Sequence, residues 1–112
     1  MNEAILGGIL AGGFPAELVT ATVRRAERAA ELRERHGITV LAESEDSEAN
    51  RTAAQGAEVI IVGVKPVGVR AMLETVAAAL RPDAVVVSVA AAVPLELMEA
   101  ALPAGTQVIR TM

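Results

Sequence analysis

The chain of 112 residues has no cysteine, tryptophan or tyrosine, one phenylalanine (Phe14) and one histidine (His36). The lack of cysteine excludes disulfides, thiolate metal sites and a cysteine nucleophile, and one histidine cannot form a metal cluster by itself. The near-absence of aromatic side chains and the net charge of -4 argue against a nucleic-acid partner. No apolar run reaches the ~18 residues of a membrane span, and no basic leader is visible. We therefore expect no membrane partner and a cytoplasmic location.

Hydrophobic residues make up 53% of the chain, and they recur alternately in strand-like and helix-like patterns. Strands are predicted at Leu18–Val23, Ile38–Leu41, Val59–Val64, Ala84–Val89 and Gln107–Arg110. Helices are predicted at Glu3–Leu10, Arg24–Arg35, Gly68–Leu80 and Pro94–Leu102, and the polar stretch Glu43–Arg51 leads into another. The continuous apolar run Val59–Val64 is typical of a strand covered on both faces. Strands alternating with helices predict an α/β fold with a Rossmann-like, doubly wound, mostly parallel sheet, in one domain over residues 1–112.

Both ends of the chain are unusual for such a domain, because it opens on an apolar helix and closes on a short strand. A doubly wound domain normally opens with a strand, so we expect a truncated dinucleotide-binding domain that lacks its first strand. No G-x-G-x-x-G stands in the chain, and we expect any such fingerprint to precede Met1. Without that strand and its phosphate-binding turn, the chain alone is expected to bind a dinucleotide poorly and to turn over no substrate.

Two arginines, Arg24 and Arg25, come directly after the strand Leu18–Val23. Ligands of doubly wound sheets bind at the carboxyl ends of the strands, and the second strand of a dinucleotide-binding fold ends at the adenosine ribose. The planar guanidinium group binds phosphate oxygens bidentately, so arginine there favours a 2′-phosphate, whereas an acid would favour NAD. The alternative is that both residues merely open an exposed helix, although cations at a helix N-terminus oppose its dipole.

The ends of the next strands carry weaker signals. Lys65 follows Val64 at the edge where a ligand would lie, but a lysine in a tight turn is often only solvated. Three alanines at 90–92 would let a flat ring approach the backbone, although ordinary packing explains them equally well. Asn50, in the polar stretch, has the residue type of a helix cap. His36 is interpreted as a helix C-terminal residue and not as a catalytic group.

Several segments in order resemble the pyrroline-5-carboxylate reductase family. Val-Gly-Val-Lys-Pro at 62–66 resembles its A-V-K-P turn. Residues 88–94, 102–105 and 108–112 resemble its patterns S-x-A-A-G-V-P, L-P-x-G and V-x-R-x-M-P-N. Residues 1–5 resemble the tail of its opening G-x-G-x-M-G-x-A-I. The similarity covers the whole chain in order and spacing, which makes it specific although no single motif is.

The resemblance implies the reduction of 1-pyrroline-5-carboxylate to L-proline with NAD(P)H, the last step of proline biosynthesis. This chain would be part of the cofactor-binding domain and would hold no catalytic residue, with NADP as the expected cofactor and NAD as the alternative. A helical C-terminal domain outside this chain would supply the substrate site and the interface of a homo-oligomer. The resemblance implies these cofactor-binding residues: Arg24, Arg25, Asn50, Gly63, Val64, Lys65, Pro66, Val89 and Ala91. The chain departs from the family at Ala92 and Asn2, where glycine is usual, and at Gly63, where alanine is usual, which leaves the pocket's shape open.

Three other functions remain open. Another NADP-dependent reductase with a similar domain, of the F420-dependent or β-hydroxyacid type, would have the same residues at its strand ends. The sequence after Met112 would separate the two, because the resemblance to pyrroline-5-carboxylate reductases predicts Pro-Asn there. A non-catalytic nucleotide-binding module would share them too, and only a substrate assay separates it. A signalling module of the receiver type needs an aspartate at a strand end, where this chain has Arg24, Lys65 and alanines.

Overall fold

The computed structural model describes residues 2–111; Met1 and Met112, which the resemblance uses, lie outside the described residues. The chain divides into two compact units, one up to Ala53 and one from Ala54 onward. Each unit has its own parallel sheet, so the predicted α/β class with parallel strands is confirmed. Within the described part, no helix is both long and apolar enough to cross a membrane.

The first unit pairs two parallel strands and packs helices on them. Its elements are α1 (Asn2–Ala11), a 3₁₀ turn (Ala16–Leu18), β1 (Thr20–Val23), α2 (Ala26–His36), β2 (Thr39–Ala42) and the beginning of α3 (Ala49–Gln55). Gly37 ends α2: its φ of 67° is left-handed, and its N–H donates to the Arg33 carbonyl at 2.9 Å. A small aliphatic core joins α1, α2 and β2 and consists of Leu6, Ala29, Leu32, Ile38, Val40 and Ala42.

The second unit is a three-stranded parallel sheet with helices between its strands, in the order β3-β4-β5. Its elements are β3 (Val59–Val62), α4 (Val69–Val76), β4 (Val85–Ser88), α5 (Leu95–Ala101) and β5 (Gln107–Arg110), with 3₁₀ turns Pro66–Gly68 and Ala77–Ala79 on either side of α4. The buried core consists of Val62, Val69, Leu73, Val86, Ala90, Val93, Met98 and Leu102. The core is almost wholly aliphatic, as the composition requires.

The structure corrects one feature of β3 and several element ends. The run Val59–Val64 was expected to be covered on both faces, but Val59 is 57% exposed and Ile61 is 40% exposed. Ile60 and Val62, which alternate with these residues, contact the core, so only one face of β3 is covered. β3 is also an end strand of its sheet, with β4 as its neighbour. The predicted helix Gly68–Leu80 is tightened into 3₁₀ turns at both ends, which is common at helix termini.

A carboxylate on α1 receives three cationic or imidazole donors from α2. Glu3 accepts hydrogen bonds from Arg28 at 2.6 Å, from His36 Nε2 at 2.9 Å and from Arg35. These hydrogen bonds, from His36 first and then from Arg28 and Arg35, lower the pKa of Glu3 from 4.5 to about 2. The same contact with Glu3 raises the pKa of Arg28. The cluster ties α1 to α2, and His36 lies at the helix C-terminus as predicted.

Because the pKa of Glu3 is lower in the folded chain, its ionisation stabilises the fold above pH 4.5, and this stabilisation is lost as the pH falls toward 2. We therefore expect Glu3→Gln to be less stable than the parent chain at pH 7, and the difference in the free energy of unfolding to shrink between pH 4.5 and 2. Urea unfolding of both proteins across that range measures the difference. Arg28→Met removes one of the hydrogen-bond donors to Glu3 and should weaken the pH dependence of the free energy of unfolding. If Glu3→Gln and the unmodified chain differed in stability by the same amount at every pH, the lowered pKa of Glu3 would be contradicted.

Candidate functional site

The carboxyl end of β1 presents two exposed cations. Arg24 and Arg25 follow Val23 directly, and within residues 2–111 neither side chain has a carboxylate partner. The backbone beneath them is anchored by Ser44, whose N–H donates to the Arg24 carbonyl at 2.9 Å and whose Oγ accepts from the N–H of Ala26 at 3.1 Å. Ser44 thereby satisfies an otherwise unpaired amide at the start of α2. The two guanidinium groups are left available for an anion.

Asn50 lies in the first turn of α3 and not in a loop. Its side chain is half-buried, and its Oδ1 accepts a hydrogen bond from the Thr22 hydroxyl of β1 at 2.6 Å. The bond joins positions 28 residues apart. The carboxamide oxygen is therefore bound to the strand and does not cap the helix. The first unit thus anchors both Arg24 and Asn50 to the last residues of one strand.

In the second unit, the turn after β3 carries Gly63, Val64, Lys65 and Pro66. The strand ends at Val62, so Val64 lies in the turn and not, as predicted, in the strand. Pro66 begins a 3₁₀ turn, in which the N–H of Gly68 donates to the Lys65 carbonyl at 2.8 Å. Lys65 is exposed and, in the described part of the chain, forms no ion pair. The turn therefore places a free ammonium group just beyond the end of a strand.

The segment after β4 is held by backbone hydrogen bonds. The N–H of Val89 donates to the Val62 carbonyl at 3.0 Å, so the ends of β3 and β4 are joined. Ser88 is fully buried, and its Oγ accepts a hydrogen bond from the N–H of Ala90 at 3.3 Å. The Ser88 carbonyl accepts two hydrogen bonds from Thr111, one from its N–H at 3.1 Å and one from its hydroxyl at 2.9 Å. Ser88 and Thr111 lie in segments that resemble the family but were not among the expected cofactor-binding residues. They fix the path of the backbone through Val89.

Ala92 adopts a left-handed backbone conformation with φ of 61°. The neighbouring Ala91, which is the predicted cofactor contact, is exposed and does not have a positive φ. For an L-residue other than glycine this conformation costs about 1–2 kcal/mol. Ala92 is the position where the resembling family usually has glycine, and the observed φ gives the physical reason for that preference. The turn after β4 therefore contains a strained backbone conformation at Ala92.

The predicted site residues thus fall into two groups. Arg24, Arg25 and Asn50 lie together at the end of β1 in the first unit, while Gly63, Val64, Lys65, Pro66, Val89 and Ala91 follow β3 and β4 in the second. Over the described range, no three histidine or acidic side chains gather as metal ligands. Two residues missed from the sequence, Thr22 and Ser44, support the first group through hydrogen bonds to partners distant in sequence.

Parallel strands alternating with helices give the chain the fold of a Rossmann-like nucleotide-binding domain, and the family that it matches is one of NAD(P)-dependent oxidoreductases. The family model described as "NADP oxidoreductase coenzyme F420-dependent" matches residues 1–92, and the chain belongs to that family.

The relatives that match are pyrroline-5-carboxylate reductases, which confirms the resemblance noted in the sequence. The protein of that name from Pseudomonas aeruginosa is 33% identical over 112 residues, covering 100% of this chain and 39% of the relative. The one from Escherichia coli is 32% identical over 114 residues, covering 100% of this chain and 40% of the relative. The solved pyrroline-5-carboxylate reductase from Coxiella burnetii shares the fold, with a TM-score of 0.85 at 23% identity over 99% of this chain and 39% of its own. The chain therefore spans about two fifths of the length of these relatives.

Proposed function

We propose that this chain is the cofactor-binding part of a reductase that converts 1-pyrroline-5-carboxylate to L-proline. The observation that carries the proposal is that the whole chain aligns, at 33% and 32% identity, with the pyrroline-5-carboxylate reductases of Pseudomonas aeruginosa and Escherichia coli. The free cations and hydrogen-bonded turns at the strand ends supply the chemistry that such a cofactor needs. The cytoplasm, with its supply of reduced pyridine nucleotide, is the location that we propose.

The cofactor that we propose is NADP, with NAD as a weaker ligand of the same residues. Arg24 and Arg25 are exposed, have no carboxylate partner in the described chain and directly precede α2, so they suit the 2′-phosphate of the adenosine ribose. Asn50, whose Oδ1 accepts a hydrogen bond from Thr22 of the same strand, is proposed to offer its amide donors to the cofactor. An acidic side chain at this strand end would instead favour NAD.

The turns of the second unit are proposed to line the rest of the cofactor. Lys65 supplies a positive charge for phosphate oxygens, with Gly63, Val64 and Pro66 shaping the turn. Val89 and Ala91 are proposed to lie beside the nicotinamide, where small side chains admit a flat ring. When bound, the reduced nicotinamide supplies a hydride for the carbon of the substrate's C=N bond. The residues of this chain bind and orient it, and the substrate site and homo-oligomer interface are proposed to lie in a further domain of the whole protein.

The test is a reductase assay on the whole protein that contains this chain. We expect oxidation of NADPH, followed at 340 nm, when 1-pyrroline-5-carboxylate is added, and formation of one proline per NADPH consumed. No NADPH oxidation with this substrate, in a protein shown to be folded by circular dichroism, would contradict the proposal.

A second candidate is an F420-dependent NADP oxidoreductase, favoured by the description of the family to which the chain belongs. Such an enzyme would exchange hydride between NADP and the deazaflavin cofactor F420. The same preparation, supplied with NADPH and oxidised F420, would bleach the deazaflavin absorbance if this candidate is right. The names of the relatives favour the imine reductase.

A further inference from the structure

The hydrogen bond between Thr22 and Asn50 fixes which side of the Asn50 carboxamide faces β1. The Thr22 hydroxyl donates to Oδ1 at 2.6 Å. A carboxamide carries an acceptor oxygen on one side and a nitrogen with two N–H donors on the other. Because the oxygen is bound to Thr22, the side of Asn50 that is left for a ligand is the donor side.

We propose that Thr22 is a positioning residue for the cofactor, which holds Asn50 with its N–H donors turned toward phosphate or ribose oxygens. This inference rests on the proposed function, in which Asn50 contacts the dinucleotide. Phosphate and ribose groups offer mainly oxygen acceptors, so an amide with its donors outward suits them. A flipped amide would present a lone-pair oxygen to those acceptors and would repel them.

The strand makes the Thr22 hydroxyl a rigid donor. Thr22 is paired in register with Leu41 of β2, and its β-branched side chain has few rotamers. It stands two residues before Arg24, whose carbonyl is held by the N–H of Ser44 at 2.9 Å. One strand end therefore anchors both the guanidinium group proposed to bind the 2′-phosphate and the amide proposed to bind near it.

The first experiment compares Thr22→Val, which keeps the shape and removes the donor, with Thr22→Ser, which keeps the donor. Calorimetric titration of NADPH into the whole protein that contains this chain gives the dissociation constant. We expect Val to weaken binding about three- to tenfold, in line with the loss of one hydrogen bond, and Ser to restore it to within about twofold. The KM for NADPH should rise in parallel while kcat stays the same, because the hydroxyl acts on cofactor binding. Equal affinities of the Val and Ser variants would overturn the inference.

A double-mutant cycle with Asn50→Ala separates this inference from the proposed function. If Thr22 acts through Asn50, then adding Thr22→Val to Asn50→Ala weakens NADPH binding no further. Asn50→Ala binding NADPH as well as the unmodified protein would overturn the cofactor role of Asn50 and with it this inference, whereas the proposed function is tested separately by the reductase assay. Asn50→Ala weakening binding, while Thr22→Val does so by the same factor in both backgrounds, would overturn only the positioning role.

Nuclear magnetic resonance of the unmodified protein supplies a measurement that needs no folded variant. The side-chain ¹⁵N–¹H₂ resonances of Asn50, assigned in the whole protein, should shift when NADPH is added to saturation. No shift at saturation would show that the amide donors do not meet the cofactor, and the inference would fail.

Discussion

Replacing Arg24 and Arg25 together by alanine is expected to raise the KM for NADPH about 10- to 100-fold while changing the KM for NADH by less than about twofold. The net loss expected is that of about one charge-assisted hydrogen bond to phosphate, about 1.5–3 kcal/mol, because both side chains are exposed; 1.4 kcal/mol corresponds to tenfold in affinity. NADH lacks the 2′-phosphate and so loses little. Steady-state kinetics with both cofactors on the whole protein measure the two KM values.

Two controls keep this result specific. Arg70 is an exposed arginine on α4 that pairs with Glu74, and Arg70→Ala should leave both KM values unchanged. The double variant should unfold at the same temperature or slightly higher, because two cations at the beginning of α2 oppose the helix dipole. A parallel rise in the KM for NADPH and for NADH would show that the arginines do not recognise the 2′-phosphate.

Truncation of Leu73 is expected to cause the largest loss of stability. Its side chain is 0% exposed in the core of the second unit, among Val62, Val86 and Met98. Leu73→Ala removes buried methyl groups and leaves a cavity, which costs about 2–5 kcal/mol. Since small domains are stable by about 5–15 kcal/mol, this is a large part of the total. Urea unfolding followed by circular dichroism gives the free energy of unfolding.

Leu18→Ala is the matched control, because the same side chain is 69% exposed there. Substitution at such a surface position changes stability by about 0.5 kcal/mol or less. Equal losses at Leu73 and Leu18 would mean that the second unit does not have the core described.

The strands were predictable because their signal is local. Ala84–Val89 is a run of β-branched and small residues, and the observed β4 lies within it as the middle strand of its sheet. The same kind of run at Val59–Val64 was wrongly expected to be covered on both faces, since the elements that cover a face are a property of the fold and not of the strand's own residues. The charged residues at strand ends were also found from the sequence, because strand ends and cations are both readable locally.

The supporting hydrogen bonds could not be predicted. Thr22 and Asn50 are 28 positions apart, and Ser44 reaches Ala26 across 18. Neutral hydroxyl groups are common on the surface, so their residue type alone does not mark them as partners. The left-handed backbone conformation of Ala92 could not be predicted either, because alanine, unlike glycine, rarely adopts a positive φ.

The end strand β3 has a practical consequence for work with this chain. Among the described residues, β3 pairs with one strand only, β4, and its Val59 and Ile61 side chains are exposed; an end strand of this kind can pair with a strand of another molecule. Intermolecular sheet growth begins from such unprotected, β-branched segments with few charges. Preparations of the isolated chain should therefore be handled dilute and cold, and a lysine in place of Ile61 is the substitution of choice for discouraging fibrils.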